Sequence, residues 1–119
     1  MSTRAVYTFA NFEANNFKDI SFYVHQDGYP EGAAKYFEAM LYFANLSEPP
    51  EPIPMQFVYA VKENFKLNPI PQANRLDAGD LEWGYTLTED GNVTVHRIKN
   101  GTETQHWSGS LDQFFNTYL

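Results

Sequence analysis

The chain has 119 residues, no cysteine, 43% hydrophobic and 17% aromatic residues, and a formal net charge of −7. That length suits one domain spanning 1–119, and so many large rings supply a real core. The missing thiols exclude disulfides, zinc–thiolate sites and cysteine nucleophiles, and the acidic balance disfavours generic binding to a phosphate backbone.

The N-terminal Met1–Tyr7 stretch lacks the apolar region of a signal peptide, and the longest apolar run, Ala39–Ala44, is far short of the ~20 residues that span a bilayer. The expectation is therefore a cytoplasmic protein that does not enter membranes. There is no internal repeat and no low-complexity tail. The loose acidic run Asp77, Asp80, Glu82, Glu89 and Asp90 reads as a solvated surface, with mimicry of DNA as the sharper alternative.

Arg4–Ala10 and Asp19–His25 read as strands joined by a polar, Asn-rich loop, residues 11–18. Placing Arg4 opposite His25 puts Ala5, Tyr7 and Phe9 on one face with Val24, Phe22 and Ile20. Arg4, Val6 and Thr8 then share the other face with His25, Tyr23 and Ser21. One apolar and one mixed face is what a half-buried antiparallel pair requires, and a one-residue slip destroys it.

Asp27-Gly28 marks a turn, and Pro30 suits the first position of a helix running to about Asn45. Its apolar stripe is Ala33, Tyr36, Phe37, Met40, Leu41 and Ala44. Gly32 in the first turn lets another backbone approach closely, or merely tolerates the bend. The Ser47–Pro54 segment (SEPPEPIP) breaks the helix. It contains a PxxP pattern and reads as a rigid connection. A second helix follows over Pro54–Phe65, with Phe57, Val58, Val61 and Phe65 on one side. Lys66–Leu76 is proline-rich and suits a crossing loop or an edge strand.

The remainder reads as a meander. Strands Glu82–Thr88 and Asn92–Ile98 flank the turn signal Asp90-Gly91, and Asn100-Gly101 leads into Thr102–Ser108. Two-residue turns would place Trp83, Tyr85 and Leu87 beside His96 and Ile98 on the core face, with Trp107 nearby. Thr86, Val95, Arg97, Thr104 and His106 would face water. Ser110 is a suitable N-cap for a last helix carrying Leu111, Phe114, Phe115 and Leu119. The fold class expected is α+β, in the order β-β-α-α-β-β-β-α, with helices packed on one face of an antiparallel sheet.

The chemistry-bearing cluster is Arg4, His25, Asp27 and Tyr29, with Thr3 beside it. Histidine titrates near neutrality, Asp27 suits orienting it, Tyr29 offers a hydroxyl, and the helix start at Pro30 supplies unpaired N–H groups. The cluster suits a small anionic ligand, or acid–base work on a phosphate or ester. The plainer reading is structural: Asp27 caps the turn, Arg4 pairs with it, and Tyr29 packs on the sheet edge. The three histidines, His25, His96 and His106, do not suit one metal, because His96 and His106 are expected on opposite faces. No cofactor motif is present, and no catalytic motif, apart from Ser2 as an N-terminal nucleophile should Met1 be removed.

Ser2-Thr3-Arg4 and Tyr23-Val24-His25-Gln26-Asp27-Gly28-Tyr29-Pro30-Glu31 resemble a group of short, functionally uncharacterised phage and prophage proteins. These share an N-terminal S-T-R and a Y-x-H-x-D-G-Y-P element ahead of a helix. The resemblance covers roughly the first third of the chain, and nothing past about Ala44 takes part in it. The acidic, Asn-rich loop and the C-terminal meander depart from the pattern. What the resemblance implies is an origin: an accessory protein acting by binding a host or phage protein, with an anti-defence role as one form. The alternatives are a small enzyme or anion-binding protein using Arg4, His25, Asp27 and Tyr29, and a structural or assembly protein that oligomerises through a strand edge or the meander.

Overall fold

The computed structural model describes residues 3–46 and 52–119, with backbone alone for 44–46. Ser2 and most of the SEPPEPIP segment lie outside the described residues. The elements are β1 (Ala5–Ala10), β2 (Ile20–Val24), α1 (Pro30–Leu46), α2 (Ile53–Phe65), β3 (Ile70–Gln72), β4 (Trp83–Thr88), β5 (Asn92–Lys99), β6 (Thr102–Ser110) and α3 (Leu111–Tyr118). The α+β class and the element order stand as read, with the proline-rich segment contributing β3 as a short edge strand.

The first hairpin has the expected register, with Ala5 opposite Val24, Tyr7 opposite Phe22 and Phe9 opposite Ile20. The sheet, however, is mixed rather than antiparallel. β1 pairs in parallel with β4, Tyr7 opposite Tyr85 and Phe9 opposite Leu87. That pairing joins the hairpin and the meander into one six-stranded sheet, in the order β3-β2-β1-β4-β5-β6. β1 therefore lies inside the sheet, and it is buried on both faces: Val6 is 0% exposed and Thr8 only 2%.

One face carries the helices. Tyr7, Phe9, Phe22, Tyr85, Leu87, Val93 and Val95 pack there against Tyr36, Phe37 and Met40 of α1, Phe57 and Val61 of α2, and Phe114 of α3. The other face is crossed by a line of hydroxyl side chains. Ser21, Thr8, Thr86, Thr94 and Ser108 are neighbours in register across five strands. Such a line cannot anchor a second helical layer, because each hydroxyl must keep a hydrogen-bond partner. Thr8 and Ser21 satisfy one another at 2.8 Å. A small apolar cluster of Val6, Leu81 and Ile98 sits at one end of this face under the loop before β4. Arg75 fastens that loop through a 2.7 Å ion pair with Glu103. Gly84 leaves room for it, since a Cβ there would stand 3.3 Å from Arg75 Nη2.

The faces of β5 correct the sequence reading. Leu87 pairs with Val93 and Tyr85 with Val95, so the loop between β4 and β5 holds three residues, not two. Gly91, at φ +89°, closes it in the left-handed region, and the Thr88 hydroxyl accepts the Asn92 N–H at 3.2 Å. One extra loop residue turns every β5 side chain over. Val93 and Val95 enter the core, and His96 and Ile98 face outward. Arg97 stacks on the Trp83 ring, 4.7 Å from its centroid, instead of reaching into water. The Asn100-Gly101 turn does hold two residues, both at positive φ.

A bulge in β6 puts His106 between the pairs Val95–Trp107 and His96–Gln105. The two residues at such a bulge face the same way. His106 therefore joins Trp107 on the helical side, its ring 5.0 Å from Trp83. The two histidines still face apart, but each on the side opposite to that expected. The α3 start is as read: Ser110 accepts from the Gln113 N–H, and Gln113 returns the bond to the Ser110 N–H at 2.8 Å.

Burial acts on the tyrosines of the core. Tyr7, Tyr36 and Tyr85 all have pKa values pushed well up, chiefly by burial, with the charge of Asp27 adding to the shift at Tyr7 and Tyr36. In the unfolded chain these phenols ionise near pH 10, while in the fold they stay protonated. The unfolded state then binds fewer protons, so stability is full below about pH 10 and falls as pH rises, by about 1.4 kcal/mol per unit for each fully buried tyrosine. Urea unfolding followed from pH 8 upward should show this fall. A Tyr7→Phe variant should fall less steeply.

Candidate functional site

The Tyr23–Gly32 stretch sits where β2 ends and α1 begins, and it is stitched from three directions. The buried Gly28 donates its N–H to Thr3 O at 3.0 Å. Its own carbonyl accepts the Tyr85 hydroxyl at 2.5 Å, from β4. The Tyr36 hydroxyl, from α1, donates to Gln26 O at 2.7 Å. These bonds give buried backbone groups the partners they need, and they tie turn, sheet and helix together.

Asp27 adopts φ 56°, a left-handed conformation that Asp and Asn tolerate better than most residues. Its carbonyl lies against the first turn of α1, where a Cβ on Gly32 would approach it to 1.9 Å. The close approach expected at Gly32 is therefore present, and its partner is Asp27. Tyr29 starts the helix, its carbonyl accepting from Gly32 N at 2.9 Å and Ala33 N at 3.0 Å. The Tyr29 side chain is 42% exposed, and its hydroxyl is 3.5 Å from Asp27 Oδ1, at the limit of a hydrogen bond.

Arg4 pairs with Asp80 at 3.1 Å, not with Asp27. The Tyr23 hydroxyl lies 2.7 Å from His25 Nδ1. With the phenol as donor, the ring proton resides on Nε2. The cluster expected from the sequence thus divides. Arg4 and His25 line one open cleft of about 650 Å³ at the end of the sheet, together with Asp80, Leu81, Glu82, Arg97, Ile98, Lys99 and Asn100. Asp27 and Tyr29 are not among its lining residues. The Arg97, Lys99 and Asn100 contribution was missed because the hairpin register alone does not bring β5 near β1. Parallel pairing of β1 with β4 sets β5 one strand away from it.

His96 is placed differently from the core face expected. It lies on the outer face, and its Nδ1 is buried without a hydrogen-bond partner among the described residues. Among the described residues, no group of three or more His, Asp or Glu is arranged to hold a metal ion. No helix there is long and apolar enough to cross a membrane.

A second open surface lies on the helical layer. Lys35, Glu38, Ala39 and Tyr42 of α1 face Asn64 and Phe65 of α2 across a groove of about 620 Å³. Tyr42 is 63% exposed at its rim. Met55 and Tyr59, one turn apart on α2, are 36% and 43% exposed. No protein-family model, curated protein or solved structure matches this chain.

Proposed function

We propose that the protein is a small accessory protein of phage or prophage type that acts by binding a host or phage protein, components of host defence included. The observation that carries this reading is the apolar surface left open on the helical layer: Tyr42, Met55 and Tyr59 with the groove beside Phe65. Solvent-exposed aromatic rings on packed helices are a cost to an isolated domain and an anchor in an interface. The net charge of −7 sets the partner's chemistry: a basic surface with an apolar patch. Thr3 and Gly28, one from each segment that carries the resemblance, are joined by a hydrogen bond, which supports reading those segments as one structural element.

The test is co-purification of the wild type and a Tyr42→Asp/Tyr59→Asp variant from a phage-bearing bacterial host. The reading expects one stoichiometric, basic partner that the variant loses while keeping its melting midpoint. Equal retention by both proteins, or no stoichiometric partner, would sink it.

A further inference from the structure

The sheet-end cleft takes no part in the protein-partner reading, and its composition is unlike the rest of the chain. Three of the eight Lys and Arg residues, Arg4, Arg97 and Lys99, line it, and His25 joins them. Its two carboxylates are Asp80 and Glu82, so with neutral histidine the walls carry 3 − 2 = +1, on a chain of −7. Leu81 and Ile98, 7% and 3% exposed, give it an apolar floor.

The cations differ in how they are held. Arg97 is fixed between the Trp83 ring and Glu82 O, to which Nη1 donates at 3.0 Å. Only one of its five N–H donors is used in that bond. Arg4 is engaged more weakly. Its partner Asp80 has a side chain 87% exposed, and Asp80 holds a backbone φ of 59°. An ion pair so open to water contributes little, so a better anion displaces it. The Lys99 side chain is exposed.

We propose that this cleft binds a small organic phosphate, whose phosphoryl group takes the place of Asp80 on Arg4 and whose apolar body lies over Leu81 and Ile98. Arg4, His25 and Lys99 come from three different chain segments, the start of β1, the end of β2 and the end of β5. A guanidinium, an ammonium and an imidazole lining the cleft from three segments suit the three terminal oxygens of a phosphomonoester better than the two of a planar carboxylate.

The test is an amide NMR titration of the full chain with phenyl phosphate, with benzoate as the planar control, at ~0.15 M salt. The expected result is saturable shifts at Arg4, His25, Leu81, Lys99 and Asn100, with benzoate weaker. Affinity should fall roughly tenfold in Arg4→Gln and in Lys99→Gln, and should rise in Asp80→Asn, which removes the competing carboxylate. Asp80 and Lys99 are exposed and the Arg4 side chain is 35% exposed, and melts of the three variants separate loss of binding from loss of fold. Shifts that stay linear, that saturate elsewhere, or that Asp80→Asn fails to tighten would overturn the proposal. None of these outcomes bears on the Tyr42/Tyr59 test.

Discussion

Phe57→Ala is expected to lower the stability of the fold by about 3–5 kcal/mol, the range for deleting a fully enclosed ring. Phe57 is the point where the layers meet. Its ring lies 4.9 Å from Tyr7 and 5.3 Å from Phe9 on β1, 6.3 Å from Phe22 on β2, and 6.0 Å from Phe37 on α1. It is 0% exposed. Truncation removes the ring's transfer free energy and leaves a cavity walled by other rings, which cannot collapse around it without leaving their rotamers. For a domain of this size the thermal midpoint should drop on the order of 10 °C or more. Urea unfolding checks the value directly. An unaltered slope would show that the mutation acts on stability and not on the size of the cooperative unit. A loss below about 1 kcal/mol would mean that α2 is not seated on the sheet as described.

Gly32→Ala is the second large effect, and its sign is the reverse of the usual one. In an ordinary helix, replacing Gly by Ala gains roughly 0.5–1 kcal/mol. Here the added Cβ meets Asp27 O at 1.9 Å and Asp27 C at 2.8 Å, both of them backbone atoms. Neither can rotate away. The turn must move, and with it the Gly28 bonds to Thr3 and Tyr85. A loss of about 3 kcal/mol is expected, at the upper end of typical overpacking costs. A thermal melt settles the sign. A raised midpoint would show the helix start to be free of the turn.

Much of this was legible in the sequence because the signals were local. The pattern of Ala5, Tyr7 and Phe9 against Val24, Phe22 and Ile20 selects the faces of the first hairpin, since a one-residue slip would bury polar side chains. The stripe through Tyr36, Phe37 and Met40, and the Ser110 cap, follow from helical periodicity. What stayed hidden was non-local. Parallel pairing of β1 with β4 joins residues almost eighty positions apart, and no turn announces it. One trace existed: Ala5-Val6-Tyr7-Thr8-Phe9-Ala10 is nearly all apolar, as a strand buried on both faces should be.

The β5 error had a different source. Asp90-Gly91 fits both a two-residue turn and the last two residues of a three-residue loop. The sequence around it does not say which, yet the choice decides whether Val95 or His96 enters the core. For the site, Arg4 and His25 were brought together correctly by the hairpin register. Asp27 suits a chemical role and a left-handed turn equally well by residue type. Its φ of 56° places it in the turn, and φ is not written in a spacing.

The central claim is that the Gln26–Gly28 turn is a tie between sheet and helix, with the ligand-accessible space lying beside it. Thermal unfolding of Tyr85→Phe tests this most directly. The substitution leaves the ring in place and removes only the hydroxyl that donates to Gly28 O. If the turn is a tie, the orphaned buried carbonyl costs about 1–3 kcal/mol, and the midpoint falls by several degrees with the near-ultraviolet dichroism otherwise preserved. A midpoint equal to the wild type's would contradict the account, and would mean that the turn is held for some purpose other than the fold.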